Sequence, residues 1–269
     1  MLTLRSAAIA LGVLLVSPAS AIPISTHDYT FAGSLADAHG GPALTRIAGG
    51  TLGTAAAPGF RFGANDGLQL AGGVAQGGPW SIELLFDYDT QGSYEKIIDF
   101  SGLQSDSGLY TTYDKLSLYP VAVASTPQLT SGTLADLVLT RSAAGTLNAY
   151  VNGALSFTYD DSRYGITASA TPIAFFADDA ATNGREAAPG FVQRIRTYDT
   201  ALSPADVKSL AAEPVPIPTP APVSVLEPRS IVLICAGLLA AAVLRVILAL
   251  VQATRAVAPR AARVNRRGA

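Results

Sequence analysis

Between His27 and Asp199, apolar and polar residues alternate in short runs, and Gly, Pro, Asn and Asp interrupt them too often for helices to form. A period of two sends successive side chains to opposite faces of a sheet. The pattern therefore predicts strands over 28–31, 60–63, 68–71, 80–88, 96–101, 116–121, 137–141, 147–151, 155–159, 173–177 and 191–198. The expected class is all-β. The clearest local signal is 147–157, where two alternating runs flank Asn152-Gly153, a pair that accepts the two positive φ angles of a type I′ hairpin turn. Ser203-Pro204-Ala205-Asp206 then reads as the start of a short helix reaching about Leu210. Ser203 serves as N-cap, Pro204 takes the first helical position, and Asp206 sits near the positive end of the dipole. That helix closes a domain over 22–213, in which Trp80 is assigned to the core.

Both ends of the chain depart from this pattern. Residues 231–251 form an apolar run in which thirteen residues are Leu, Ile or Val and only Arg245 is charged. About 20 apolar residues cross a bilayer. Each Leu, Ile or Val favours insertion by roughly 0.3–0.6 kcal/mol, against about 2.5–3.5 for one central Arg, so the balance favours a transmembrane helix over 230–252. Arg245 lies near enough to one end to snorkel. Arg255, Arg260, Arg263, Arg266 and Arg267 follow with no acidic residue, which places the tail, 253–269, in the cytoplasm by the positive-inside rule. At the other end Arg5, an apolar stretch over 7–16, Pro18 and the small residues Ala19-Ser20-Ala21 form a signal peptide, 1–21, with cleavage expected after Ala21. The segment 214–229, with Pro at 214, 216, 218, 220 and 222, is an extended spacer between domain and membrane.

This layout exports 22–229, and there eleven Lys or Arg face twenty Asp or Glu, a net charge of −9 hidden by the −2 of the whole chain. Such acidity argues against nucleic acid and anionic lipid as partners. The only cysteine, Cys235, falls in the apolar run, so the exported part has no internal disulfide and depends on packing.

Enzyme chemistry finds little support. Glu83, Asp87 and Asp89 alternate along one strand and share a face, but a glycosidase needs two carboxylates about 5–9.5 Å apart across a sugar, and a solvated strand face gives the same pattern. With no Gly-x-Ser-x-Gly elbow, and only His27 and His39 as histidines, neither a serine triad nor an ordinary zinc site is expected. Tyr88, Tyr94, Tyr110, Tyr113 and Tyr119 cluster in the middle of the chain, either as sugar-stacking rings or as packing. Asp178 and Asp179 are the candidate Ca²⁺ ligands, with Glu186, Asp199 and loop carbonyls completing the shell of six to eight oxygens that this ion takes.

Several motifs together resemble the bacterial laminin-G-like family. They are Gly-Pro-Ala-Leu at 41–44, Phe62-Gly-Ala-Asn-Asp-Gly-Leu68, Trp80-Ser-Ile-Glu-Leu, Lys96-Ile-Ile-Asp-Phe100, Ser107-Gly-Leu-Tyr, Asp136-Leu-Val-Leu-Thr-Arg141, Tyr150-Val-Asn-Gly, Phe175-Phe-Ala-Asp-Asp179, Gly184-Arg-Glu and the run from Gly190 to Ser203. The resemblance implies a concanavalin-A-like jelly roll of two antiparallel sheets. Gln193 stands where that family more often shows an acidic residue. The C-terminus is similar to a PEP-CTERM sorting signal, with Glu227-Pro228 before the apolar run and Arg cluster, and Leu226 in place of the first proline. That likeness implies an exosortase-type protease as partner, in the envelope of a Gram-negative-type bacterium. The function expected is a sorted, non-catalytic binding or adhesion module for extracellular polysaccharide or a surface protein.

Overall fold

The computed structural model describes residues 21–75, 77–167 and 172–215, and Leu244, Arg245, Ile247, Leu248 and Gln252 further on. The chain divides into two units, Met1–Thr219 and Pro220–Ala269. In the second, the five described residues are helical, and Leu244, Ile247 and Leu248 are exposed. Among the described residues no helix is long and apolar enough to cross a membrane. Apart from those five, the run 230–252 lies outside them, as do Ala19, Glu227, Pro228 and the arginines of the tail.

The first unit contains, in chain order, β1 (His27–Tyr29), β2 (Thr45–Arg46), β3 (Thr51–Thr54), β4 (Ala57–Phe62), β5 (Leu68–Leu70), β6 (Trp80–Tyr88), β7 (Glu95–Asp99), β8 (Gly108–Thr112), β9 (Lys115–Tyr119), β10 (Ala122–Val123), β11 (Ala135–Arg141), β12 (Thr146–Val151), β13 (Ala154–Asp160), β14 (Ile173–Phe175), β15 (Gly190–Tyr198) and α1 (Pro204–Ala211). One sheet has the order β13-β12-β11-β6-β15-β4-β3, with β1 also paired to β15; the other runs β10-β9-β8-β7-β14-β5-β2. Every pairing is antiparallel. The inner faces meet in a core where Trp80, Ile82, Leu84, Phe86 and Tyr88 of β6 point inward, and Phe62 stacks on Phe176 at 4.4 Å between ring centres.

The outer face of the first sheet is covered too. Ser81 donates to the Thr200 carbonyl (2.8 Å) and accepts from the Leu202 amide (2.9 Å), which ties the chain after β15 back over β6. Val207 and Leu210 of α1 then pack on Val138, Tyr150, Tyr198 and Leu202. Ser203 caps the helix through a box in which its hydroxyl accepts from the Asp206 amide and Asp206 answers to the Ser203 amide. The helix runs to Ala211.

All eleven expected strands form, and β6 has its expected bounds. The run 96–101 stops at Asp99, whose carboxylate accepts from the Ser101 and Leu103 amides and turns the chain. Four strands carry no alternating signal: β2, β3 and β10 are short and exposed, and β8 opens on Gly108. There φ is +155°, and a Cβ would stand 2.5 Å from the Ile98 carbonyl, so glycine is a packing requirement and not a break.

Candidate functional site

Glu83, Asp87 and Asp89 do share the outer side of the first sheet, but they do not converge on a groove. Glu83 is fully buried. One of its oxygens accepts from Arg194, the other from the Tyr198 hydroxyl at 3.2 Å, and Arg196 approaches to 3.6 Å. Both arginines also hold Glu213, at 3.1 and 2.9 Å, just past α1. Asp89 is exposed and paired with Arg61 at 2.9 Å. Asp87 is half-buried, and burial together with the charge of Asp89 raises its pKa against the opposing pull of Arg61. Gln193 is buried where β15 bulges between Val192 and Arg194.

At one end of the second sheet, Lys96 lies fully buried on β7 and joins two loops. Its ammonium donates to Asp99 (3.1 Å) at the end of β7, to the Ser105 carbonyl (3.3 Å) in the β7–β8 loop, and to Asp179 in the β14–β15 loop. It also lies 5.0 Å from the centre of the Tyr110 ring. Burial pushes the Asp179 carboxyl up, but the Lys96 hydrogen bond and charge, with the amides of Ala181 and Thr182, outweigh it and leave the group below the usual carboxylate range. Asp178 is turned differently: its Oδ2 accepts from the Thr182 hydroxyl and the Glu186 amide (2.9 Å), while Oδ1 is buried without a hydrogen-bond partner. Asn65 braces the same loop, accepting from the Asp178 amide and donating to the Gly184 carbonyl. Burial and the negative charges of Asp106, Asp178 and Asp179 push Glu186 up to about 7, with Lys96 opposing.

These residues do not fit the Ca²⁺ site expected for Asp178 and Asp179. Asp179 is committed to an ammonium. Asp199 lies past the far end of β15, a strand that begins four residues after Glu186. Among the described residues no three His, Cys, Asp or Glu side chains are placed to hold a metal ion.

Beside this cluster runs an open groove of about 580 Å³, lined by Phe100, Ser101, Ser105 and Ser107 from the β7–β8 loop, Pro120 and Val121 after β9, and Tyr164, Gly165 and Ile166 after β13. Tyr164 is 72 % exposed. The lining residues offer hydroxyls and apolar surface and include no charged side chain. Of the five tyrosines singled out in the sequence, Tyr88 is in the core and donates to the Lys96 carbonyl (2.7 Å). Tyr94, Tyr110 and Tyr119 meet edge to face at 6.1–6.3 Å, and Tyr113 is exposed at the β8–β9 turn. Tyr164 lies outside every expected strand, in the polar stretch Asp-Ser-Arg-Tyr-Gly, where no alternation marks it.

A two-sheet antiparallel sandwich with a groove among its end loops has the build of a concanavalin-A-like binding or hydrolase domain. Residues 62–208 match the laminin G model described as the concanavalin A-like lectin/glucanases superfamily, and the chain belongs to that family. No curated protein matches the chain in sequence. Among solved structures it is similar to a Trypanosoma rangeli sialidase in complex with 2,3-difluorosialic acid (TM-score 0.56, 13 % identity, 71 % of this chain and 34 % of that one). It is also similar to domain 4 of AbnA, an extracellular arabinanase from Geobacillus stearothermophilus in complex with arabinotriose (0.54, 17 %, 70 % and 98 %). A third likeness is the ligand-binding domain of botulinum neurotoxin serotype D in complex with N-acetylneuraminic acid (0.54, 15 %, 70 % and 50 %). The chain thus spans about a third of the sialidase and half of the neurotoxin domain, and at these identities the likeness is one of fold.

Proposed function

We propose that this protein is an exported, envelope-sorted binding module that holds an extracellular glycan in the Ser101–Tyr164 groove without turning it over. The observation that carries the reading is the lining of that groove: an exposed ring and apolar walls to take a sugar face, serine hydroxyls to orient it, and no carboxylate pair to cleave it. Of the β6-face carboxylates that a hydrolase reading would use, Glu83 is committed to Arg194 and Asp89 to Arg61, and none lines the groove. With no cation in the lining, a neutral sugar chain suits it better than an acidic one. The arabinotriose and N-acetylneuraminic acid held by two structural neighbours make a glycan the natural ligand class to test. The signal peptide, proline spacer, Glu227-Pro228 motif, apolar run and Arg cluster, in that order, support export through the inner membrane of a Gram-negative-type bacterium, with the tail cytoplasmic and an exosortase-type protease as processing partner.

The test is a glycan array probed with the purified protein displayed on beads, since multivalent display can raise weak single-site affinity by roughly 10²–10⁴. Retained neutral polysaccharide of unchanged length is expected, with binding reduced at least about 10-fold in Tyr164→Ala and kept in Tyr164→Phe. Steady release of reducing ends, lost in Glu83→Gln, would establish a hydrolase instead.

A further inference from the structure

We infer that the Lys96 ammonium is a built-in cation: it fills the centre of an oxygen shell that would otherwise need Ca²⁺, and so holds the loop end of the sandwich together without metal. An ammonium has three N–H donors, and here each finds an oxygen: a carboxylate of Asp99, a carboxylate of Asp179 and the carbonyl of Ser105. The donor set is all oxygen, and the two carboxylates are fully buried and far apart in sequence, Asp99 at the end of β7 and Asp179 in the β14–β15 loop. These are the ligand types that hard cations take. Without a central charge they would repel each other out of reach of water, which is why one must be present for the loops to close.

More acidic groups stand around the same point. The Tyr110 hydroxyl donates to Asp106 at 3.1 Å and approaches Asp179 at 3.4 Å, and Asp178 keeps a buried oxygen free of partners. The same ammonium fixes the groove wall. Ser105 accepts from Lys96 through its carbonyl, and Ser101 donates to Asp99 at 3.0 Å. Cutting the side chain back to Cβ would leave room and two buried negative charges where a hydrated divalent ion could settle. The inference does not depend on the identity of the groove's ligand, and melting temperature reads it even if no sugar binds.

The experiment is thermal unfolding of the full chain, of Lys96→Ala and of Lys96→Met, each in EDTA and in millimolar CaCl₂. The wild type should melt at the same temperature in both buffers, within about 1 °C. Lys96→Ala should melt about 10 °C lower in EDTA, since one partner of a buried ion pair is gone, and should regain at least half of that loss in Ca²⁺. Lys96→Met, whose stem fills the space, should fall and regain nothing. A wild type stabilised by Ca²⁺ would overturn the inference. So would a Lys96→Ala protein that Ca²⁺ fails to restore, including one that folds in neither buffer, or a Lys96→Met protein restored as well.

Discussion

Asp37 and Asp136 are both buried, yet their surroundings move their protons in opposite directions. Burial pushes the Asp37 carboxyl up, but it accepts from the amides of Asp28, His39 and Gly41 and from the His27 ring, and the net effect holds it down at about 2. Its contribution is therefore complete above the unfolded value of about 4 and is lost as pH falls through 2. Asp136 has neither carboxylate oxygen hydrogen-bonded, and burial, with Glu83 and Glu213 nearby, pushes it up to about 7. The folded state keeps that proton, so stability is whole below pH about 4 and declines as pH rises through 7. Replacing Asp136 with Asn should remove this penalty. The variant should match the wild type near pH 4 and be more stable at pH 8 by roughly 1–3 kcal/mol, as read from urea unfolding at the two pH values. Lower stability at pH 8 would mean that the ionised carboxylate has a cation partner in the fold. Neither role is legible in the sequence, because Asp136 occupies an ordinary alternating position and only the covering by α1 and Glu213 isolates it. Lys96 is equally hard to foresee; its one signal is a charge at each end of an otherwise apolar Lys-Ile-Ile-Asp run.

Elements were legible where local chemistry fixes them and obscure where neighbours do. Alternation located the long strands, and Asn152-Gly153 has the two positive φ angles expected of its turn, +50° and +78°. The capping residues of α1 could likewise be read, since an N-cap acts within four residues. The partner of that helix could not be, because its landing place is the face of β11 and β12. Val138 and Tyr150 there look no different from core residues. The same end of the chain decides the fate of Glu83: the face it shares with Asp87 and Asp89 was legible, its own burial was not. The hairpin turn and α1 meet at Gly153, where a Cβ would come within 3.2 Å of Ala211. Gly153→Ala adds both that contact and the strain of a left-handed residue, and chemical denaturation should show a loss of about 1–2 kcal/mol. No loss would mean that α1 rests on the sheet without being pinned by the turn.

At the scale of the whole chain, one folded domain is joined to a segment of entirely different chemistry. The domain, 22–213, carries nineteen of the twenty acidic residues, and Glu227 in the spacer is the other. Beyond residue 229 every charged side chain is an arginine. Between them the spacer 214–229, if fully extended at about 3.1 Å per residue, reaches roughly 50 Å, enough to hold the groove clear of a surface. That order of parts gives a direct expectation for the mature protein. Signal peptidase should free Ile22, and cutting near Glu227-Pro228 should remove the apolar run together with every arginine beyond it. Intact mass of the protein recovered from its native envelope should then correspond to a chain beginning at Ile22 and ending close to Pro228. Such a cut would change the mechanics as well as the mass, because it would exchange a tether in the inner membrane for release or transfer to another surface. A dominant species still bearing 255–269 would rule out processing and leave a permanent single-pass anchor, with the groove confined to within the spacer's reach of that membrane.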